Sequence, residues 1–306
     1  MRQSPFRLDR LAVVGVGLIG GSLALALREA RAVGEVWGVG RSQANLEEAL
    51  ARGIIDRVVS LEEAAQAELV FIATPVAQMP AVFRALRPHL SPATILTDGG
   101  STKRDVIAAA RAELGSAFPR FVPGHPIAGT EKTGAAAAFA TLYRERKVVL
   151  CPEAETDPRA MAEVAAMWRA TGANVHELSA AEHDDVFAAV SHLPHLLAFA
   201  LVDMLAEAPA AERYFAYAAS GFRDFTRIAA GSPEMWRDIT LANRDAIRAQ
   251  LAAYRARLDA FDAWLAAGNP PAQSAIEGAF TRAAQARRAW QRMIEHGEPM
   301  PPLPSE

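Results

Sequence analysis

Leu11-Ala12-Val13-Val14 is a short, unbroken apolar run that ends in Gly15-Val16-Gly17-Leu18-Ile19-Gly20-Gly21, and residues 22–30 follow with a helix-favouring composition. An apolar run of this length reads as a strand covered on both faces. The glycines then let the chain turn sharply, so that the next helix opens with its free amides aimed at whatever lies at the strand's carboxyl end. In that context G-x-G-x-x-G is a dinucleotide fingerprint; out of context it would be only a glycine-rich turn.

The same alternation continues downstream. Residues 35–40, 69–75 and 94–98 read as strands, and residues 45–52 and 79–86 as helices. Strands alternating with helices predict a parallel, doubly wound sheet. Residues 120–123, 147–151 and 173–178 are further strand candidates, expected to extend that sheet to about residue 178. From Ser179 the texture changes. Ser179-Ala180-Ala181-Glu182 fits a capping box, and alanine-rich, arginine-studded helical segments run to about His296. Pro209, Gly221, Gly231-Ser232-Pro233 and Gly268-Asn269-Pro270-Pro271 are the expected breaks, and residues 297–304 are expected to be extended or mobile. The chain is therefore read as α/β, with an N-terminal Rossmann-type domain over residues 1–178 and an all-helical C-terminal domain over residues 179–306.

With a formal net charge of −3 the chain lacks the concentrated basic surface that nucleic acid binding requires, although local clusters could hold small anions. Its single cysteine, Cys151, excludes an intramolecular disulfide and closes an apolar run, so an inert buried thiol is expected. No window reads as long and uncharged enough to span a bilayer, which predicts a cytoplasmic protein without a membrane partner.

Gly15, Gly17, Leu18, Ile19 and Gly20 are the expected pyrophosphate-facing residues. At the end of the second strand, where an NAD-selective protein usually carries an acidic residue, stand Gly40, Arg41 and Ser42. An arginine beside a small residue suits a 2'-phosphate, which leans the reading of NAD(P) towards NADP, while a solvated arginine near NAD is the alternative. Thr74 and Pro75 end a strand on the ligand side of the sheet, as a wall for the nicotinamide ribose or as a plain turn. Ser22 could serve the phosphate or the helix start.

The segment Gly124-His125-Pro126-Ile127-Ala128-Gly129-Thr130-Glu131-Lys132-Thr133-Gly134 holds a histidine between glycines. With Ser191-His192-Leu193-Pro194-His195 and Gly221-Phe222-Arg223-Asp224-Phe225-Thr226-Arg227-Ile228 it resembles the prephenate/arogenate dehydrogenase family of tyrosine biosynthesis, from about residue 10 to about residue 250. The resemblance implies oxidative decarboxylation of a cyclohexadienyl dicarboxylic acid, with hydride transfer to NAD(P)+. Neutral imidazole is matched to accepting a hydroxyl proton near pH 7, so His125 is the expected catalytic base. By the same resemblance Ser101 lies near the nicotinamide and the substrate hydroxyl; from its sequence context it could also be an N-cap.

A doubly charged substrate needs fixed cations. Arg227 offers bidentate recognition, oriented by Asp224, or else forms an Asp-Arg pair that only fastens helices. Glu131 and Lys132 are expected to orient the histidine loop or gate entry, with solvated surface charge the alternative, and the resemblance counts Thr130 and Glu131 among the substrate-binding residues. Lys103 would favour an anion or be solvated. The resemblance places His195 and Trp236 at the substrate pocket, though tryptophan at helical spacing is more often core, and His192 is read as a packing residue. His192 and His195, three apart, with His183, Asp184 and Asp185 nearby, could be mistaken for a metal set; no metal is expected, because the redox reaction needs no Lewis acid. Two other readings remain at this stage. One is a different hydroxyacid dehydrogenase or imine reductase, although Lys147 is the last lysine and a lysine mechanism in the helical domain is excluded. The other is a non-catalytic nucleotide-sensing dimer. Large apolar residues of the helical domain, including Met204, Phe215, Leu258 and Phe261, predict a homodimer through it.

Overall fold

The structure, a computed structural model, describes residues 6–296. The chain forms two compact units, Met1–Ile247 and Arg248–Glu306.

The first unit opens with strands and helices in alternation: β1 (Leu8–Val14), α1 (Leu18–Glu29), β2 (Val33–Val39), α2 (Gln43–Ala51), β3 (Arg57–Val58), α3 (Leu61–Ala64), β4 (Leu69–Ile72), α4 (Met79–Leu86), β5 (Ile95–Asp98), α5 (Arg104–Leu114) and β6 (Phe121–Val122). The six strands form one parallel sheet in the order β3-β2-β1-β4-β5-β6. The order reverses direction between β1 and β4, and such a switch point opens a crevice beyond the carboxyl ends of those two strands. Both faces of the sheet are covered, which is why its central strands are apolar without interruption. Leu11 and Val13 of β1, with Leu69 and Phe71 of β4, enter one core. Ala12, Val14, Val70 and Ile72 enter the other.

The expected extension of this sheet to residue 178 is corrected. β7 (Gly124–Pro126), β8 (Lys147–Leu150) and β9 (Asn174–Glu177) build a separate three-stranded sheet, with α6 (Pro158–Ala170) between β8 and β9. β7 runs antiparallel to β8, pairing His125 with Val149. His125 therefore stands on a strand and not in a glycine-flanked turn, and the backbone ladder fixes its position. Trp168 of α6 packs edge-on against Phe71 of the main sheet at 5.6 Å between ring centroids.

Beyond β9 the described residues are helical: α7 (Ala180–Phe187), one π-helical turn over Ala188–His192, α8 (Leu193–Ala206), α9 (Ala211–Ala216), α10 (Ser220–Thr226) and α11 (Pro233–Ala242). The capping box at Ser179 and Glu182 forms as expected. Gly221 lies inside α10 and is not a break. Pro194 does not kink a regular helix; it sits in the first turn of α8, directly after the π turn, where a missing N–H costs little. Together Ala180–Ala206 make a continuous helical stretch, and an 18-residue window within it, of mean hydropathy 1.6, is long and apolar enough by length and composition to cross a bilayer. This corrects the expectation that no window qualifies: aliphatic residues outweigh the few ionisable ones. Of these, His183, Asp184, His192 and His195 bond within the protein.

The second unit is built from α12 (Arg244–Ala267), from Arg248 on, and α13 (Pro270–His296). Gly268 turns the chain at φ +59°, and Asn269 Oδ1 accepts from the amide of Ala272 at 3.0 Å to start α13. Phe261 meets Trp264 edge-on at 5.1 Å and stacks on Phe280 at 5.6 Å. The expectation for residues 297–304 lies outside the described residues.

Candidate active site

β1 delivers the glycine loop to the crevice. Gly15 sits at φ +99°, and a Cβ there would lie 2.6 Å from the carbonyl oxygen of Ala73, so only glycine lets the strands come this close. Gly17 precedes α1 without a side-chain cap, and Gly21 makes the first helical bond, to Gly17 O at 2.8 Å. The amides of Leu18, Ile19 and Gly20 are left without helical acceptors and face the crevice as an anion cradle. Two side chains hold the loop. Asn45 Nδ2 donates to Val16 O at 2.7 Å while its Oδ1 accepts from Ala135 N at 2.8 Å, and the hydroxyl of Tyr143 donates to Ile19 O at 2.6 Å. At the end of β4 the Thr74 hydroxyl is buried with no partner in the protein. Open helix amides, a loop too tight for a Cβ at Gly15 and an orphan hydroxyl at the switch point fit a dinucleotide.

The neighbouring candidates divide. Arg41 reaches the Gln78 side-chain oxygen at 3.0 Å with that amide oriented to accept. Ser42 caps α2, its Oγ accepting from Asn45 N at 3.3 Å. Ser22 is fully buried, and its hydroxyl accepts from Phe139 N at 3.0 Å. That bond commits it to holding a backbone segment and not to a phosphate.

Ser101 does not begin a helix. α5 starts at Arg104, and its first amides are capped from another element: Asp184 Oδ1 accepts from Lys103 N at 2.8 Å and Oδ2 from Arg104 N at 2.9 Å. Lys103 is neither solvated nor anion-facing; it is fully buried and ion-paired with Asp98. Asp98 also accepts from Gly100 N at 2.8 Å and from Gly124 N at 2.9 Å. The carboxylate at the end of β5 thus fixes the residue that precedes His125.

His125 is half-buried, and its Nδ1 lies 2.8 Å from His183 Nε2. His183 is fully buried, with Nδ1 2.8 Å from Asp184 Oδ1. Burial first, then the like charges of His183, Lys103 and His192, push the His125 imidazole well below its ordinary range. Burial lowers His183 too, against the opposing pull of Asp184. At neutral pH His125 is an uncharged imidazole at the end of a fixed chain, the state a general base requires.

The predicted substrate residues cluster in two groups. Arg227 Nη1 lies 3.9 Å from Glu131 Oε2, both side chains being exposed. Asp224 does not orient Arg227, because it pairs with Arg223 at 3.7 Å. Thr130 is exposed and accepts from Lys132 N at 3.2 Å. In the second group His195 donates from Nδ1 to Ser191 O at 2.8 Å and stacks on Trp236, whose ring is therefore not plain core packing. His192 is buried, its Nδ1 3.1 Å from Asn243 Nδ2, while its Nε2 faces the Ser101 backbone without completing a hydrogen bond.

Two family models match the chain in sequence order. Residues 23–177 match the nucleotide-binding domain of prephenate dehydrogenase, and residues 179–276 match its dimerization domain. The chain belongs to the prephenate dehydrogenase family. It is 38% identical to the prephenate dehydrogenase of Bacillus subtilis over 84% of this chain and 67% of that protein. Against the cyclohexadienyl dehydrogenase of Zymomonas mobilis it is 36% identical over 78% of this chain and 82% of that one. Among solved structures, a prephenate dehydrogenase from Aquifex aeolicus in complex with hydroxyphenyl propionate and NAD+ superposes with a TM-score of 0.84 at 33% identity, covering 92% of this chain and 99% of that one.

Within this family member, His183, Asp184 and Asp98 are the site residues that reading the sequence did not assign. His183-Asp184 was visible there only as a possible metal pair. The signal that could have found its role is helical spacing: His183 and Asp184 stand three to four positions before the apolar Phe187 and Ala188, on the buried face of α7, and buried polar groups require partners. Asn45 and Tyr143 carry no such signal, because both reach the cofactor loop across long stretches of chain.

Proposed function

We propose that this protein oxidises and decarboxylates prephenate or arogenate with a nicotinamide dinucleotide, giving 4-hydroxyphenylpyruvate or tyrosine. The observation that carries the reading is His125, held as a neutral base on β7 at the carboxyl side of the sheet, in a chain of the prephenate dehydrogenase family. The cofactor, bound on Gly15, Gly17, Leu18, Ile19 and Gly20 with Thr74 and Pro75 as a wall, supplies the hydride acceptor. His125 accepts the hydroxyl proton as the ring carbon becomes a carbonyl. Ser101 orients that hydroxyl. Arg227, with Glu131 and Thr130 at the rim, takes a substrate carboxylate, and His195 on Trp236 lines the pocket.

An NADP preference is supported by Gly40-Arg41-Ser42, where no carboxylate ends β2 and Arg41 reaches over to Gln78. The division into a nucleotide-binding domain over residues 1–178 and a helical domain over residues 179–306 is supported by the spans of the two family models. The protein works in the cytoplasm as a homodimer. The buried Cys151 thiol needs no oxidising compartment, and the second family model carries the description of a dimerization domain. Exposed Leu258, Leu265 and Phe280 of the second unit supply apolar surface for such contacts.

Initial rates with NAD and NADP, each with prephenate and with arogenate, on wild type and His125→Asn, test the reading. Turnover that collapses in the variant while cofactor still binds supports it. No turnover in any wild-type combination refutes it. A monomer by light scattering at micromolar concentration refutes the dimer.

A further inference from the structure

The chain His125–His183–Asp184 can be followed proton by proton. Asp184 accepts two backbone amides at the start of α5, at 2.8 and 2.9 Å. Burial opposes ionisation but does not prevail: the hydrogen bond with His183 first, then these two amides, hold the Asp184 carboxyl below its ordinary range. An ionised carboxylate only accepts, so the 2.8 Å contact requires the proton of His183 to sit on Nδ1. The Nε2 of neutral His183 is then a lone pair. Across the next 2.8 Å contact His125 must be the donor, with its own proton on Nδ1. Its Nε2 is left bare, the form that can take a proton from a substrate hydroxyl.

We propose that His183 and Asp184 are the positioning residues of the reaction: they set the tautomer of His125 and carry its positive charge once it has acted. This rests on the reading of His125 as the base. The substrate O–H bond breaks, its electron pair completing the carbonyl, and the proton bonds to His125 Nε2. The Nδ1 proton of His125 passes to His183 Nε2. His125 ends neutral, and the charge rests on His183 beside the Asp184 carboxylate, where an imidazolium is best compensated. The arrangement is rigid because its parts sit on different elements that brace one another. β7 carries His125, α7 carries both partners, and Asp184 also anchors α5, whose approach bears Lys103 and hence the Asp98 contact to Gly124. The ring of Phe187 packs on both imidazoles, edge-on to His125 at 4.9 Å and tilted against His183 at 4.5 Å.

The test reads the tautomer directly, and then turnover. In enzyme labelled with 15N in its histidine rings, the resonances lost in His125→Asn identify His125. Its Nδ1 is expected to be protonated and its Nε2 bare in the wild type without substrate. Protonation at Nε2 overturns the proposal. In steady state His183→Ala is expected to lower kcat about 10²-fold, the scale of a mispositioned base, with both KM values moving less than about threefold. His183→Gln supplies an amide oxygen that can accept from His125 Nδ1 but cannot take a proton. It should restore the Nδ1–H tautomer and recover only part of kcat. A His183→Ala variant within twofold of wild type, or a His183→Gln variant equal to wild type, overturns the proposal. If His183→Ala does not fold, the wild-type tautomer and the His183→Gln rate still decide: a bare Nδ1 on His125, or a His183→Gln kcat equal to wild type, overturns the proposal. Because the tautomer is read without substrate, a wild type that oxidises neither acid would sink the function while leaving this measurement to be judged on its own.

Discussion

His195 and Trp236 stack with ring centroids 3.5 Å apart and 20° between their planes, joining α8 to α11. An aromatic pair of this kind contributes about 0.5–1.5 kcal/mol beyond the area it buries. Trp236→Leu is expected to raise the KM for the cyclohexadienyl acid roughly tenfold and leave cofactor KM unchanged, with Trp236→Phe intermediate. Equal KM values for Trp236→Leu and wild type would remove the pair from the substrate pocket.

Among the described residues the ion pair of Arg227 is the 3.9 Å contact to Glu131, at an exposed position, so its guanidinium can exchange that partner for a substrate carboxylate. Losing a hydrogen bond to a charged group costs about 1.5–3 kcal/mol. Arg227→Ala should therefore raise substrate KM by roughly 10- to 100-fold, and Arg227→Lys should recover only part because the fork is lost. Glu131→Gln, which frees the arginine, should not weaken substrate binding. Substrate titrations in the presence of saturating cofactor measure all three.

Lys103 and Asp98 are both fully buried and ion-paired. Removing one partner of such a pair leaves an uncompensated charge, typically destabilising by about 3–5 kcal/mol. Lys103→Met should lower the denaturation midpoint sharply, and Lys103→Met with Asp98→Asn should recover part of the loss. Chemical denaturation curves followed by circular dichroism would reveal additive effects if the two residues acted independently.

Gly15 combines φ +99° with the 2.6 Å approach of Ala73 O to any added Cβ. Gly15→Ala forces the glycine loop away from β4, so cofactor affinity should fall by more than tenfold and the melting temperature should drop. The same change at Gly17, where a Cβ meets nothing within 4 Å, should cost far less stability. Fluorescence titration with reduced cofactor and thermal melts separate the two variants.

His192 is buried and uncharged, its imidazole pushed down to about 4 from an ordinary 6.5, chiefly by burial. Below pH 6.5 the unfolded chain takes up this proton before the folded one does. The stabilisation is thus complete above about pH 6.5 and is lost as pH falls through about 4, amounting to about 3 kcal/mol over that window. His192→Asn keeps an acceptor for Asn243 without the titration. Its melting temperature should fall less between pH 7 and pH 4.5 than that of the wild type; parallel curves would show that His192 does not titrate in the window.

The nucleotide half of the site was largely legible, because its signals are local. The run 11–14 with the glycines after it encodes a strand, a turn and an exposed helix start within eleven residues. The acid/base half was legible only in part. His125 stood out through resemblance, yet as a loop residue; that it is a strand residue depends on pairing with Val149, which follows it by 24 positions. His183 and Asp184 stood out only as members of a possible metal set, and Lys103 as a cation that would favour an anion or be solvated. Their burial follows from α7 packing against the start of α5, a contact that no window of sequence contains.

By itself the sequence determined the opening strand, glycine turn and helix and the parallel, doubly wound class of the nucleotide-binding sheet, since apolar period, glycine placement and capping act over a few residues and belong to the chain wherever it lies. Only the tertiary structure decided the protonation chemistry. Whether Asp184 is a surface acid or a helix cap, and whether His125 presents a lone pair or a proton, depends on distances of 2.8 Å between residues 58 to 81 positions apart. Hydrogen-bond direction and desolvation act through space, and folding alone brings those groups together.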